Sequence, residues 1–232
     1  MNIVITGASK GMGKAFAKQF SKENNTLFLC SRNINELEET AKELCALNQN
    51  VKIFCKSVDV SIKEQVLDFA IFCLKKGATD IIINNAGTFT PGSIYDEAEG
   101  VIDEMMSTNF LGAYHLTRSL LPKMIEKKSG HIFNICSVAS IKAYTNGGSY
   151  GISKHAMLGF SKNLREELKP FNIKVTSIIP GAVYTDSWKE SDIDENRMMD
   201  EKDVAVMVYA STQLSQRACV EEIVMRPQLG DL

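Results

Sequence analysis

Tyr150 and Lys154 stand four positions apart, and Ser137 precedes them by a short polar stretch. On one face of a helix that spacing puts an ammonium one turn from a phenol. A free tyrosine ionises near a pH of about 10 and is a poor acid or base at neutrality, but a fixed cation beside it favours the phenolate and lowers that value. Ser137, at the end of an apolar run, can direct a carbonyl oxygen toward Tyr150. The chemistry is proton transfer at an oxygen. With 6 Tyr in 232 residues and lysine abundant, Tyr-x-x-x-Lys arises by chance about once in two such chains, so the pair takes its meaning from the rest of the chain.

A second signal opens the sequence. Thr6-Gly7-Ala8-Ser9-Lys10-Gly11-Met12-Gly13 follows an apolar run and leads into an amphipathic one. Glycines at such a strand-to-helix turn let the backbone approach a pyrophosphate, whose charge meets amide groups and the positive end of the helix. The spacing is Gly-x-x-x-Gly-x-Gly. It is neither Gly-x-Gly-x-x-Gly nor a turn ending in Gly-Lys-Ser/Thr, which sets kinase and NTPase readings aside.

Further along, Thr26 to Cys30 leads into Ser31-Arg32-Asn33, where a NAD site normally wants a carboxylate for the ribose hydroxyls. Arg32 stands there instead. It can clamp a 2′-phosphate bidentately, with a hydrogen bond from Ser31 and added charge from Lys10, or it is a solvated arginine opening the next helix. Asp59 is a helix N-cap or a reader of an adenine amino group. Asn84-Asn85-Ala86-Gly87 sits at a strand's carboxyl end, where open α/β sheets bind ligands. Asn109, inside an otherwise apolar helix from Met105 to Leu121, makes a local structural bond or joins the layer of Ser137 and Tyr150. Pro180-Gly181-Ala182-Val183-Tyr184-Thr185 supplies backbone and a hydroxyl for a planar carboxamide. His115, His131 and His155 share no spacing, and no metal is assigned.

The elements that must position these groups follow from periodicity. Apolar runs near 2 to 6, 26 to 30, 51 to 55, 80 to 83, 130 to 136, 172 to 178 and 222 to 225 predict seven strands, with helices filling most intervals. Such βα alternation predicts a single-domain α/β fold, a doubly wound parallel sheet of Rossmann type covered by helices on both faces. The polar, acidic stretch 186 to 203 fits neither element and is expected to be a mobile lid. At 44% hydrophobic, 23% charged and net charge -2 the chain is an ordinary globular one. That balance argues against a nucleic-acid partner, and Lys123, Lys127 and Lys128 read as a helix end. The six cysteines lack metal-ligand spacing and suit a reducing compartment. No apolar run reaches membrane-spanning length, and the first strand begins at once, so no membrane partner and a cytoplasmic location are expected.

Taken in order, Thr6-Gly7-x-x-x-Gly11-x-Gly13, Asn84-Asn85-Ala86-Gly87, Asn109, Ser137, Tyr150-x-x-x-Lys154 and Pro180-Gly181 make a chain that resembles the short-chain dehydrogenase/reductase family. The resemblance covers nearly the whole length. It implies Tyr150 as general acid/base, Lys154 as its tuner and a ribose ligand, Ser137 as the substrate-oxygen ligand, and Asn109 as support for a water-mediated proton path. It also implies NADP(H) held by Gly7, Ser9, Lys10, Gly11, Met12, Gly13, Ser31, Arg32, Asp59, Val60, Asn85, Ala86, Gly87, Tyr150, Lys154, Pro180, Gly181, Val183 and Thr185. A homodimer or homotetramer, paired through helices near 107 to 127 and 150 to 169, is the family expectation.

For the substrate, Pro180 to Trp188 and Val220 to Pro227 look most similar to the sepiapterin-reductase-like branch, with 3-oxoacyl-carrier-protein reductase as the alternative. Asp186 to Asp203 carries eight carboxylates against three basic residues, a poor surface for an acidic carrier protein, whereas Lys127, Lys128 and Lys169 could make a basic patch elsewhere. Phe89, Tyr144, Tyr184 and Trp188 are expected to wall a pocket for a flat carbonyl compound. No long arm is expected beyond the last strand, so substrate choice is expected to fall mainly to the lid. A catalytically silent NADP-binding sensor or scaffold is the reading from another class. It need not keep Asn109, Ser137, Tyr150 and Lys154 together.

Overall fold

In a computed structural model, residues 1–185 and 194–232 are described. The strands are β1 (Asn2–Thr6), β2 (Thr26–Ser31), β3 (Lys52–Ser57), β4 (Ile81–Asn84), β5 (Gly130–Ile135), β6 (Ile173–Pro180) and β7 (Glu222–Met225). They form one sheet in the order β3-β2-β1-β4-β5-β6-β7, every pairing parallel. β1 and β4 are buried on both faces, which is why Ile3 to Ile5 and Ile81 to Ile83 read as unbroken apolar runs and not as alternation.

Alternate side chains of a strand serve opposite faces. Ile3 and Ile5 of β1 join a core with Phe16 and Phe20 of α1 (Gly11–Phe20), Leu37 and Leu44 of α2 (Ile34–Leu47), and Val204 and Val208 of α7 (Glu201–Thr212). Val4 joins the opposite core, with Val66 and Phe69 of α3 (Lys63–Leu74), Leu116 and Leu120 of α5 (Gly112–Lys127), and Leu164 and Leu168 of α6 (Gly148–Leu168). The chain thus winds to one side of β1 and then to the other. The strand order reverses between β1 and β4, and that switch point opens a crevice at their carboxyl ends.

Two segments depart from the sequence reading. The helix expected from Met105 is built from α4 (Val101–Met106), a π turn over Ser107–Leu111 and α5. In the stretch 186 to 203, Glu195–Arg197 forms a 3-10 turn, Val183 bridges Met199, and α7 begins at Glu201 behind the capping carboxylate of Asp200. Met199 N donates to Ala182 O at 3.0 Å and Tyr184 N to Met199 O at 2.9 Å. The second half of the expected lid is therefore fastened to the chain after β6. The rest of that expectation, with Asp186, Trp188 and Asp192, lies outside the described residues. No described helix is long and apolar enough to cross a membrane.

Candidate active site

The glycine turn is shaped by contacts that only hydrogen allows. Gly7 and Gly11 take positive φ, +64° and +52°, where an L side chain is strained. Gly13 lies against the turn, and a Cβ there would stand 2.0 Å from Gly7 O. The first turn of α1 carries no acidic residue and no side-chain cap, so its amides remain donors for an anion. Opposite, the ends of β1 and β4 are sewn together. Asn85 N and Ala86 N donate to Thr6 Oγ1 at 3.0 and 2.9 Å, and Asn85 Nδ2 donates to Thr6 O and Gly7 O at 2.9 and 3.1 Å. Asn84 instead turns inward, donating to Thr117 and Asn134 at 2.9 and 2.7 Å. Only the second amide of the pair borders the crevice.

A cleft of about 390 Å³ runs over this turn, bordered by Ser9, Lys10, Met12, Ser31, Arg32, Asp59 and Val60 among others. Arg32 is exposed at its outer end. Burial works against the charge of Asp59, but the amide and hydroxyl of Ser61 and the guanidinium of Arg32 outweigh it and hold the carboxyl below its ordinary value. Asp59 does not cap α3, whose cap position is Ile62; it closes a local turn by accepting from Ser61 N at 3.0 Å. Ser31 Oγ donates to Asn33 O at 2.9 Å, so its proton is already engaged and the cationic groups here are Arg32 and Lys10. Glu36 and Glu104 border the same cleft.

Next to it lies a mostly apolar cavity of about 410 Å³. Met12, Asn85, Gly87, Thr88 and Thr185 border both spaces, so the two adjoin along these residues. Pro180, Gly181 and Val183 line the inner cavity, while Ala86 lies on the cleft side. Phe89 and Tyr144 wall the cavity; Tyr184 is not among its lining residues, and Trp188 lies outside the described ones. Sequence reasoning missed Val138, Lys142, Asp231 and Leu232, all of which border it. The last two arrive because the turn after β7 folds back, with Arg226 paired to Asp231. No periodicity announces such a return.

Ser137, Tyr150 and Lys154 meet at the floor of this cavity. Ser137 ends the chain after β5 in an extended conformation, its Oγ accepting from Ala139 N at 3.1 Å. Tyr150 projects from the first turn of α6, with the Phe89 ring edge-on at 4.8 Å between centroids. Burial pushes the phenol above its ordinary value, the hydrogen bond with Ser137 works against that, and Cys136 adds to it. Lys154 Nζ stands 5.8 Å from the Tyr150 ring centroid and donates to Ile135 O at 2.9 Å. Its own value is lowered by burial. The expected lowering of Tyr150 by Lys154 does not appear: burial leads and raises the phenol, and Lys154 is not among the groups that shift it.

Asn109, 1% exposed, sits in the π turn, where the widened helix turns it toward the loop after β4. Its Oδ1 accepts from Thr88 N at 2.7 Å, and its Nδ2 donates to Thr88 O and Ser153 Oγ, each at 3.0 Å. Both amide ends are engaged structurally, and Gly87 passes within reach because a Cβ there would be 3.1 Å from Asn109 Oδ1. Among the described residues no His, Cys, Asp or Glu cluster could hold a metal.

A half-buried phenol beside a serine and a lysine, in a cavity adjoining a cleft floored by a glycine turn, is equipment for moving a proton while a dinucleotide lies alongside. A parallel sheet carrying it at its switch point defines a Rossmann-type oxidoreductase. The chain belongs to the short-chain dehydrogenase family, whose model matches residues 1–196. It is 34% identical over 226 residues to an uncharacterized oxidoreductase of Staphylococcus epidermidis, covering 97% of this chain and 96% of the relative. To the sepiapterin reductase of Chlorobaculum tepidum it is 34% identical over 239 residues, covering 99% and 97%. Among solved structures, an alcohol dehydrogenase from the archaeon Thermococcus sibiricus, complexed with 5-hydroxy-NADP, superposes with a TM-score of 0.89 at 27% identity, covering 98% of this chain and 96% of that one.

Proposed function

We propose that the protein reduces a small, flat carbonyl compound to an alcohol with NADPH. The observation that carries the reading is the position of Tyr150 beside Ser137 and Lys154, lining a cavity that adjoins the glycine-turn cleft. The cleft fits the dinucleotide: Gly13 and Gly7 leave the close approach a pyrophosphate needs, α1 offers uncapped amides, and Arg32 answers a 2′-phosphate. NADPH, when bound, supplies the hydride. Tyr150 donates its proton to the carbonyl oxygen, Ser137 orients that oxygen, and Lys154 holds positive charge beneath the phenol as it loses its proton. Phe89 and Tyr144 offer flat apolar walls to the substrate body.

The alternative substrate, an acyl group on an acidic carrier protein, wants a basic docking face. Lys127 pairs with Asp80 and Lys169 with Glu166, which leaves that patch largely neutralised. Exposed Leu111, just before α5, and Ile152, in the second turn of α6, support pairing into a homodimer or homotetramer through these helices. Light scattering showing a monomer at micromolar concentration overturns that part.

The test is NADPH oxidation over a panel of diketones, pterins, quinones and acyl thioesters, repeated with Tyr150→Phe. We expect turnover with flat ketones, its loss in the variant, and nearly intact NADPH binding, because only the transferable proton is removed. No turnover with any carbonyl, alongside tight NADPH binding, would support the sensor reading instead.

A further inference from the structure

α6 has no cap of its own. The residue before it is Gly147, which has no side chain to offer, and the first turn contains no acidic residue. The missing acceptor comes from 52 residues upstream, in the loop after β4: Glu97 Oε1 accepts from Ser149 N at 2.8 Å, and Oε2 accepts from Ser149 Oγ at 2.5 Å. Ser149 is 2% exposed and immediately precedes Tyr150. A carboxylate at a helix N-terminus satisfies orphan amides and meets the positive end of the dipole.

The surrounding backbone is shaped for this contact. Gly148 has φ +32°, and a Cβ on it would stand 1.9 Å from Glu97 Oε1; a Cβ on Gly92 would stand 2.8 Å from Glu97 Cγ. Gly92 N donates to Asn146 O at 3.1 Å, and Ser93 Oγ donates to Asn146 Oδ1 at 2.7 Å, with Asn146 itself at φ +61°. The same loop carries Phe89, edge-on to Tyr150, and is fastened at its near end by Asn109 through Thr88. Tyr150 is therefore held from two sides by one loop.

We propose that Glu97 is a positioning residue: by capping α6 from the opposite loop it fixes the start of that helix, and with it the direction of the Tyr150 hydroxyl. Glu97 borders neither the dinucleotide cleft nor the substrate cavity, so its loss should leave cofactor binding alone. The activity arm of the test rests on the reading of Tyr150 as the acid. The exchange arm does not.

The experiment compares Glu97→Ala, Glu97→Gln and Glu166→Gln, a carboxylate at the far end of the same helix, with the unmodified chain. Amide hydrogen exchange should speed up at Ser149 and Gly151 in Glu97→Ala, by about tenfold for a lost cap, while Leu164 stays protected. With isatin, a flat keto-lactam, as probe, kcat should fall about tenfold to a hundredfold from misdirection of the phenol, and the NADPH dissociation constant should hold. Glu97→Gln should recover most of kcat, since its amide can accept from Ser149 N and donate to Ser149 Oγ; Glu166→Gln should change nothing. Unchanged exchange at Ser149 and Gly151, loss spread along α6 to Leu164, or a Gln variant as poor as Ala would each overturn the proposal. An unmodified chain that oxidises no NADPH overturns the reading of Tyr150 and leaves this one to the exchange data.

Discussion

Lys154 Nζ donates to the carbonyl of Ile135 at 2.9 Å, so the ammonium ties the first turns of α6 to the end of β5 while standing under the phenol of Tyr150. Burial lowers the lysine's value and leaves few partners for its charge. Lys154→Met keeps the stem and removes the charge. It should lower both turnover and NADPH affinity, the latter by about tenfold to a hundredfold for one charge-assisted bond of roughly 1.5 to 3 kcal/mol. The pH profile of kcat/KM decides the tuning role: a profile identical to that of the unmodified enzyme would remove it.

The glycine turn gives a graded prediction. Gly13→Ala puts a Cβ 2.0 Å from Gly7 O and 2.6 Å from Asn85 Nδ2, so the turn and the stitching to β4 must both give. NADPH binding should be lost and Tm should fall. Gly159→Ala meets nothing within 4 Å, inside α6, and should raise stability by up to about 1 kcal/mol. Calorimetry on both variants checks the contrast, and a Gly13→Ala protein that binds NADPH normally would refute the close-approach argument.

How much of this could be read from residues alone depends on the range of the interaction. The strands were legible because parallel strands buried on both faces must be continuously apolar, as Ile81 to Ile83 are. Tyr150 and Lys154 were legible because both lie within one helical turn. The π turn around Asn109 was not, since one extra residue in a helical turn leaves the apolar spacing almost unchanged. Nor was the grip of Glu97 on Ser149, or the return of Asp231 to the cavity. These contacts join segments far apart in the chain, and only the folded backbone brings them together. Ser31 shows the converse: it borders the cleft, but its hydroxyl is committed to Asn33.

His131 gives a prediction about acid. Its ring is 6% exposed, bonded through Nε2 to Thr176 Oγ1 at 2.7 Å and stacked on Phe133. Burial, helped by the charge of Lys174, pushes its value down to about 3 from 6.5. Between those two values the unfolded chain binds a proton that the folded chain does not, so stability should be flat above pH 6.5 and fall as pH drops toward 3. His131→Gln retains a partner for Thr176 and removes the titration. Tm measured at neutral pH and again well below it should fall more steeply in the unmodified chain than in the variant; equal slopes would show that other groups govern acid stability.

The cofactor preference rests on Arg32. NADP and NAD differ at this end only by a 2′-phosphate, and at the outer end of the cleft Arg32 is exposed beside Asp59, with Lys10 also on the wall. A bidentate guanidinium contact contributes about 1.5 to 3 kcal/mol, so Arg32→Ala should shrink the preference for NADPH roughly tenfold to a hundredfold. Ser31 donates to Asn33 and Glu36 borders the same cleft, so the preference should depend on the arginine more than on the serine. Ser31→Asp adds a carboxylate that repels the phosphate and offers ribose hydroxyls an acceptor; it should therefore invert the preference. Both effects should appear in KM for the cofactor and not in kcat, because the phosphate is remote from the transferred hydride, and both should weaken as salt rises. The deciding measurement is kcat/KM for NADPH and NADH in the unmodified enzyme at low ionic strength. Equal values, or a preference for NADH, would make Arg32 the solvated arginine of the plainer reading.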